Sequence, residues 1–316
     1  MTSPAVSVVI PAYNSAGHLT ACLQGVLAQE YPDFEVIVVD DASTDKTSEI
    51  VRSHEGARLV SAARNLGPGA ARNRGVTESR GQLLLFLDSD SIVDDRRWIA
   101  KHAAVHASHE PVVLGGGVEG VGRGLVARAD SYCHWSTNIP GAQPTVTTAA
   151  PRLGRVSRHL VTNNMSVRRA TFDLVGPFDE RFRTGEDVDF CERALRLGIP
   201  LRLEPAILVK HRDRERLADF LRCFLRTGKD RIPVREKHGG QLQWLLPRGF
   251  ASSVLLAPLL TVLLWLQTTL AWWPYDRRVV LYAPLILLAY FGMTAGIVCF
   301  FYERRRTTSW RGPDRA

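Results

Sequence analysis

The sequence predicts an α/β domain built on a mostly parallel sheet, followed by a C-terminal pair of membrane helices. Three observations predict it. Short β-branched runs alternate with helix-period segments in units of about 30 residues, the rhythm of right-handed βαβ crossovers. Two of those runs end in paired carboxylates, Asp40-Asp41 and Asp88-Ser89-Asp90. Two uncharged stretches, 250–273 and 279–301, each exceed the roughly 20 residues needed to cross hydrocarbon.

The elements follow in chain order. VSVVIP, residues 6–11, is a buried first strand closed by Pro11. That proline, and the lack of a basic leading segment, read as a strand and not a secretory leader. Residues 15–29 place Leu19, Cys22, Leu23, Val26 and Leu27 at helical spacing, with Ser15 as N-cap. Residues 34–43 form the second strand, ending at Asp40 and Asp41, and DKTSEIVRSH a second helix. ARLVSA is a short third strand, and residues 65–79 run from a Gly/Pro loop into a helix. QLLLFLDSD is the fourth strand. Alternation puts Asp88 and Asp90 on one side of its tip, where two like charges are costly without a cation between them. Parallel sheets bind ligands at the carboxyl ends of their strands. Tyr13, Asp40, Asp41, Asp88 and Asp90 all fall there.

PVVLGGGVEG reads as a strand and turn, and residues 138–157 as a mobile loop over this edge. Residues 159–198 hold a strand, a short helix, a loop, and a helix beginning near EDVDF with Val188, Cys191, Ala194 and Leu195 as its apolar stripe. PLRLEPAILVKH is a further strand ending at His211. Residues 214–231 set Leu217, Phe220, Leu221, Phe224 and Leu225 opposite Arg216, Arg222, Arg226 and Lys229, a basic amphipathic helix suited to a membrane surface or to its own domain. The boundaries expected are a domain over 1–213, the basic helix and linker over 214–248, the helical hairpin over 249–302 and a basic tail over 303–316.

Mean hydropathy is only −0.06, but the apolar residues concentrate in the last third, so the average conceals the hairpin. Net charge is +8, which suits anionic lipid headgroups. No helix-turn-helix, zinc-finger or RNA-binding pattern accompanies it, so nucleic acid is not expected as a partner. Five cysteines without a CxxC pair argue against a disulfide framework and for a reducing cytosol. Arg231, Arg235, Lys237 and Arg248 before the hairpin and ERRR at 303–306 after it put both flanks in the cytoplasm, while Arg277 and Arg278 in the link argue weakly the other way. A cell-membrane protein crossing twice, with its α/β domain cytoplasmic, is the expectation; a re-entrant hairpin stays open.

VSVVIPAYN, VIVVDDASTD, NLGPGAARNRG, FLDSD and GEDVDF, in this order and approximate spacing, resemble the family 2 glycosyltransferases over about residues 5–212. DxD alone is weak; five segments in order are specific. The resemblance implies a GT-A fold and inverting transfer of a sugar from a nucleotide donor. Chemistry fits the segments. A leaving diphosphate needs its charge neutralised, and Mn²⁺ or Mg²⁺ does so with one or two protein carboxylates plus phosphate oxygens. By resemblance Asp90 is the metal ligand, Asp88 either contacts the ribose or shares the metal, and His211 occupies the position of a further ligand. Pro11 and Tyr13 resemble the wall beside the base, and Asp41 the acceptor from a uracil-type N–H, which favours UDP or dTDP donors without excluding GDP. Asp40 braces that loop, Arg72 resembles a nucleotide contact, and Asn164, with Asn163 and Met165, lies in the segment near donor sugar and acceptor. As a Rossmann fingerprint GPGAARNRG fails. Asp187 is the expected base, with Glu186 orienting; helix N-terminal charge compensation is the bland alternative for these acids. The Q/RxxRW segment of processive members is missing from the sequence, which points to single addition. The acceptor expected is lipid-linked or membrane-proximal. The rivals are a polyprenyl-phosphate glycosyltransferase, a nucleotidyltransferase, and a non-catalytic membrane scaffold.

Overall fold

The computed structural model describes residues 5–107, 110–148, 159–238 and 247–309. The chain divides into two compact units. The first comprises 1–121, 137–150 and 157–212, and the second gathers 122–136 with the C-terminal helices from 213 onward.

In the first unit β1 (Val6–Ala12), α1 (Leu19–Leu27), β2 (Phe34–Asp40), α2 (Thr47–Arg52), β3 (Ala57–Ser61), α3 (Pro68–Glu78) and β4 (Leu83–Leu87) follow the alternation read from the sequence. β5 (Ser91–Ile92), α4 (Trp98–His106) and β6 (Val113–Val121) come next, then α5 (Gly124–His134), which belongs to the second unit. β7 (Thr145–Thr147), β8 (Asn164–Arg168), α6 (Arg169–Val175), α7 (Glu186–Arg196) and β9 (Leu201–Arg212) complete the first unit. Its sheet runs β3-β2-β1-β4-β8-β6-β9-β5, with β7 beside β9. The first four of these strands pair in parallel; β8 then lies antiparallel to β4 and β6, and β5 and β7 antiparallel to β9.

Two packing features position the strand ends. Gly75 lets α3 press on β1, since a Cβ there would sit 2.3 Å from Val9 Cγ1. Phe86 of β4 meets Phe178 edge to face at 5.2 Å, and Phe190 of α7 stacks on Phe172 at 5.5 Å. These aromatics lock the start of α7 to β4 through the core. β9 bulges where its register with β6 shifts at Gly116/Gly117. Asn164 fills the gap, its amide donating to Gly117 O and Ile207 O.

The loop expected over 138–157 is ordered into an edge strand at Thr145–Thr147, because alternating threonines pair with β9. Residues 149–157 of that expectation lie outside the described residues. Ser15 does not cap α1, whose N-cap is His18; its hydroxyl instead meets Ser89 Oγ at 2.8 Å.

The second unit is helical. α8 (Leu217–Asp230) buries Phe220, Cys223, Phe224 and Gly228. α9 (Ile232–His238) follows, then α10 (Phe250–Trp272), a 3₁₀ turn at Arg277–Tyr282 and α11 (Ala283–Ser309). α10 and α11 are both long and apolar enough to cross a membrane. The basic helix foreseen at 214–231 packs on α11: Gly292 faces Leu221, and Gly296 meets the carbonyl of Leu225.

Candidate active site

The acids of the first unit arise from three local causes. β2 ends in Asp40, with Asp41 next, both buried. Asp40 accepts from Ser43 N at 2.9 Å and from the Ser48 hydroxyl, bracing the following loop. Asp41 Oδ1 accepts from Leu66 N at 2.9 Å and Oδ2 from Gly67 N at 2.8 Å, fastening the Gly/Pro loop to the sheet edge. Gly67 adopts φ 99°, left-handed backbone that favours glycine. A cleft of about 360 Å³ opens here, lined by Asp41, Leu66, Ala70, Asn73, Arg74 and Glu180. Tyr13, half exposed, and Pro11, whose strand pairs with β2, stand at the neighbouring strand end.

The second group follows β4. Asp88 Oδ1 accepts from Arg72 Nη2 at 2.6 Å. Asp90 faces His211 of β9, Oδ2 to Nε2 3.3 Å, and its carbonyl accepts from Arg212 N. Burial works to raise the Asp90 pKa, but the charge and hydrogen bond of His211, with His18 nearby, bring it down to about 2. Asp90, in the turn after β4, and His211 of β9 therefore converge as an anionic oxygen and an imidazole, a donor pair that fits Mn²⁺ or Mg²⁺ completed by phosphate oxygens. Among the described residues no three His, Cys, Asp or Glu side chains are gathered as a metal cage.

The third group opens α7. Gly185, at φ 89°, turns the chain so that Glu186, Asp187 and Asp189 fill the first turn. Asp189 turns inward to Arg193 at 2.8 Å. Glu186 is buried and accepts from Arg72 Nη1 at 2.6 Å, while Asp187 is half-buried. Burial, helped by the charge of Asp187 and opposed by Arg72, pushes Glu186 up to about 7.

Arg72 thus joins the second and third groups. It is only 3% exposed, bonds both carboxylates, and leaves Nε without a partner. The sequence assigns it to the nucleotide; the geometry makes it a clamp between Asp88 and Glu186. Asn164 is not brought to this edge. Its amide is occupied by the β9 bulge, and its Oδ1 accepts from Trp98 Nε1 at 3.0 Å and lies 3.0 Å from His102 Nε2. Asn163, the next residue toward the strand end, is buried with both amide atoms unpartnered. His18 escaped the sequence reading because its position before α1 marks it only as a surface polar residue. Its pKa is lowered by burial against the pull of Asp90.

Residues 7–172 match the profile of Glycosyl transferase family 2. The chain belongs to this family. Glycosyltransferase AglE of Haloferax volcanii is 31% identical over 258 residues, covering 78% of this chain and 76% of that one. The PGL/p-HBAD biosynthesis glycosyltransferase of Mycobacterium tuberculosis is 32% identical over 197 residues, 60% of this chain and 69% of that protein. Among solved structures, mannosyltransferase PcManGT from Pyrobaculum calidifontis, in complex with GDP-Man and Mn²⁺, aligns with TM-score 0.57 at 18% identity over 98% of this chain and 88% of its own. S. aureus TarS 1-349 with UDP-GlcNAc aligns with TM-score 0.52 at 19% identity over 96% and 92%. The fold is the GT-A type, as the sequence led us to expect, and the chain is a glycosyltransferase that takes a nucleotide-sugar donor.

Proposed function

We propose that this glycosyltransferase adds a single sugar, with inversion, to a hydroxyl of a lipid-linked or membrane-proximal acceptor at the cell membrane, its active site facing the cytoplasm. The observation that carries this reading is the Arg72 clamp, which ties the acids after β4 to those opening α7 in one site. The two acid sets have separate tasks. The nucleobase is assigned to the strand end beside Asp41, with Tyr13 and Pro11 as its wall, where a uracil or thymine imide N–H donates to the carboxylate. Structural relatives hold UDP-GlcNAc and GDP-Man, so the base is settled by assay.

Asp90 and His211, with Asp88, would hold Mn²⁺ or Mg²⁺. When bound, such a cation neutralises charge on the departing diphosphate. Asp187 is the acid of the three placed to act as base: Glu186 is engaged by Arg72 and Asp189 by Arg193, while Asp187, accepting only from Val188 N among the described contacts, remains half-exposed at the helix start. The acceptor oxygen bonds to the anomeric carbon from the face opposite the diphosphate. Its proton passes to Asp187 Oδ, the carbon–oxygen bond to the diphosphate breaks, and the nucleoside diphosphate leaves. Glu186, buried beside Asp187, fixes its orientation through the helix turn.

Asp187→Asn separates this reading from a polyprenyl-phosphate glycosyltransferase. A hydroxyl acceptor needs the base, so the turnover number is expected to fall roughly 10²-fold or more with donor KM little changed. A phosphate acceptor is already ionised, and a turnover number near wild type would establish that reading instead.

A further inference from the structure

The helical unit fixes how its two apolar helices meet a membrane. Among the described residues the chain passes between the units after residues 121, 136 and 212. Within the helical unit all three places lie at the same end, beside the link between α10 and α11. Arg128 and Tyr132 of α5 bond Asp276 of that link at 2.6 and 2.7 Å, and Trp272 Nε1 donates to Tyr132 O at 2.9 Å. Trp135 Nε1 donates to Asp213 at 3.1 Å, and Arg214 N to Asp130 at 3.0 Å, which brings the start of the C-terminal segment to α5.

From this end α8 runs alongside α11 in the same direction. The Phe224 ring lies 6.0 Å from Tyr290, Gly292 faces Leu221, and Lys229 bonds Glu303 at 2.6 Å. The contact leaves no room for side chains: a Cβ on Gly228 would lie 1.8 Å from Met293 O, and one on Gly296 2.0 Å from Leu225 O. The exposed Arg222 and Arg226 of α8 are therefore level with the middle of α11, not with its end.

Two crossing arrangements conflict with this. A hairpin with its link across the bilayer would carry the three passages to the first unit across with it. A bundle with α8 as a third span would place Asp219, Arg222 and Arg226 at hydrocarbon depth, where each charge costs about 2.5–3.5 kcal/mol even on the mildest scale. It would also separate the Arg231, Arg235 and Arg304–Arg306 cluster from the link and the cytoplasmic side, against the positive-inside rule.

We propose that α10 and α11 lie along a single anionic leaflet without crossing it, so that link, tail and catalytic unit all stay on one side. α10 is the immersed element. Leu255 and Leu270 are 79% and 71% exposed, while Thr261 and Thr268 turn inward to Thr294 and Tyr290. A helix about 10 Å across fits within one leaflet's roughly 15 Å of hydrocarbon. The α8 arginines then meet headgroup phosphates, and Trp273 and Tyr275 sit at the interface.

This rests on the membrane reading above, and the test separates the two. In a Cys299→Ser chain, Arg52→Cys marks the catalytic unit, Arg277→Cys the link and Arg305→Cys the tail; all three native residues are exposed. Each is exposed to a membrane-impermeant maleimide in spheroplasts and in sealed inverted vesicles from the same cells. The proposal expects all three to label from the inverted-vesicle side alone and to the same extent. Labelling of Arg277→Cys alone from the other side establishes the ordinary hairpin, and of Arg305→Cys alone the three-span bundle; either overturns the proposal. Recovery of the chain from the soluble fraction after carbonate washing overturns the membrane reading and the proposal with it.

Discussion

Arg72 is the residue on which both acid sets depend. It is buried between Asp88 and Glu186, so removing it leaves two carboxylates without their cation, one of them fully enclosed. Arg72→Met is expected to cost about 3–5 kcal/mol of stability, the range for breaking a buried ion pair from one side. Arg72→Met combined with Glu186→Gln removes the uncompensated charge as well. Denaturant unfolding should show the double variant recovering much of that loss while sugar transfer stays abolished. If the single variant melts like wild type, the clamp is an accident of packing. At this scale the sequence was legible for position: Asp41, Asp88 and Asp90 stand at the ends of β2 and β4, where the alternation of the runs places them. It was not legible for Arg72 or Asn164, because the partners that claim their side chains lie 114 residues away at Glu186 and 43 residues away at Ile207.

Among elements, α1, α2, α3 and β1 to β4 could be read directly, since β-branched runs and apolar helical spacing are local signals. α4 could not. Its buried face carries His102 and His106, which burial holds down to about 3 and about 4 and which bond Ser166; a sequence counts them as polar. β7 is three residues long and exists only because β9 offers an edge. α5 falls inside the domain expected over 1–213 but packs in the helical unit, because its partners, among them Trp272 and Asp276, lie more than a hundred residues later. The α5–α8 contact supplies a pH prediction. Burial alone would lower His134, but the charge and hydrogen bond of Asp130, 2.9 Å from Nδ1, raise it to about 9. A folded pKa above the unfolded value of 6.5 gives stability fully present below about pH 6.5 and lost as pH rises through 9. Cys223, 3.8 Å from Nε2, is brought down to about 7 and titrates in the same interval. The comparison therefore uses a Cys223→Ala background. There, the melting temperature advantage of His134 over His134→Gln in detergent should shrink between pH 6.5 and 9; a constant difference would show that His134 carries no charge in the fold.

For the whole molecule, membership in glycosyltransferase family 2 explains why a sheet edge bearing three sets of acids is joined to apolar helices: the donor is soluble and the proposed acceptor is not. Holding the active site at a membrane raises the effective concentration of a membrane-proximal acceptor without any new contact. Truncation before α10 should therefore weaken transfer to a membrane acceptor more than it weakens donor binding. The expectation of a crossing hairpin rests on two uncharged stretches, the short link between them and the charge of the flanks; the packing of α8 along α11 is a tertiary fact that no window of sequence contains. The central claim, a cation-dependent transferase built on Asp90, is tested most directly by nucleoside-diphosphate release. The detergent-solubilised chain would be given UDP-, dTDP- and GDP-sugars with a lipid extract, with and without Mn²⁺ or Mg²⁺, beside an Asp90→Ala control. The account predicts release from one donor class, abolished by EDTA and by Asp90→Ala. Release that survives both would contradict the metal assignment. A folded chain that releases nothing and binds no nucleoside diphosphate with Mn²⁺ would contradict the enzyme reading and leave a membrane scaffold on the same fold.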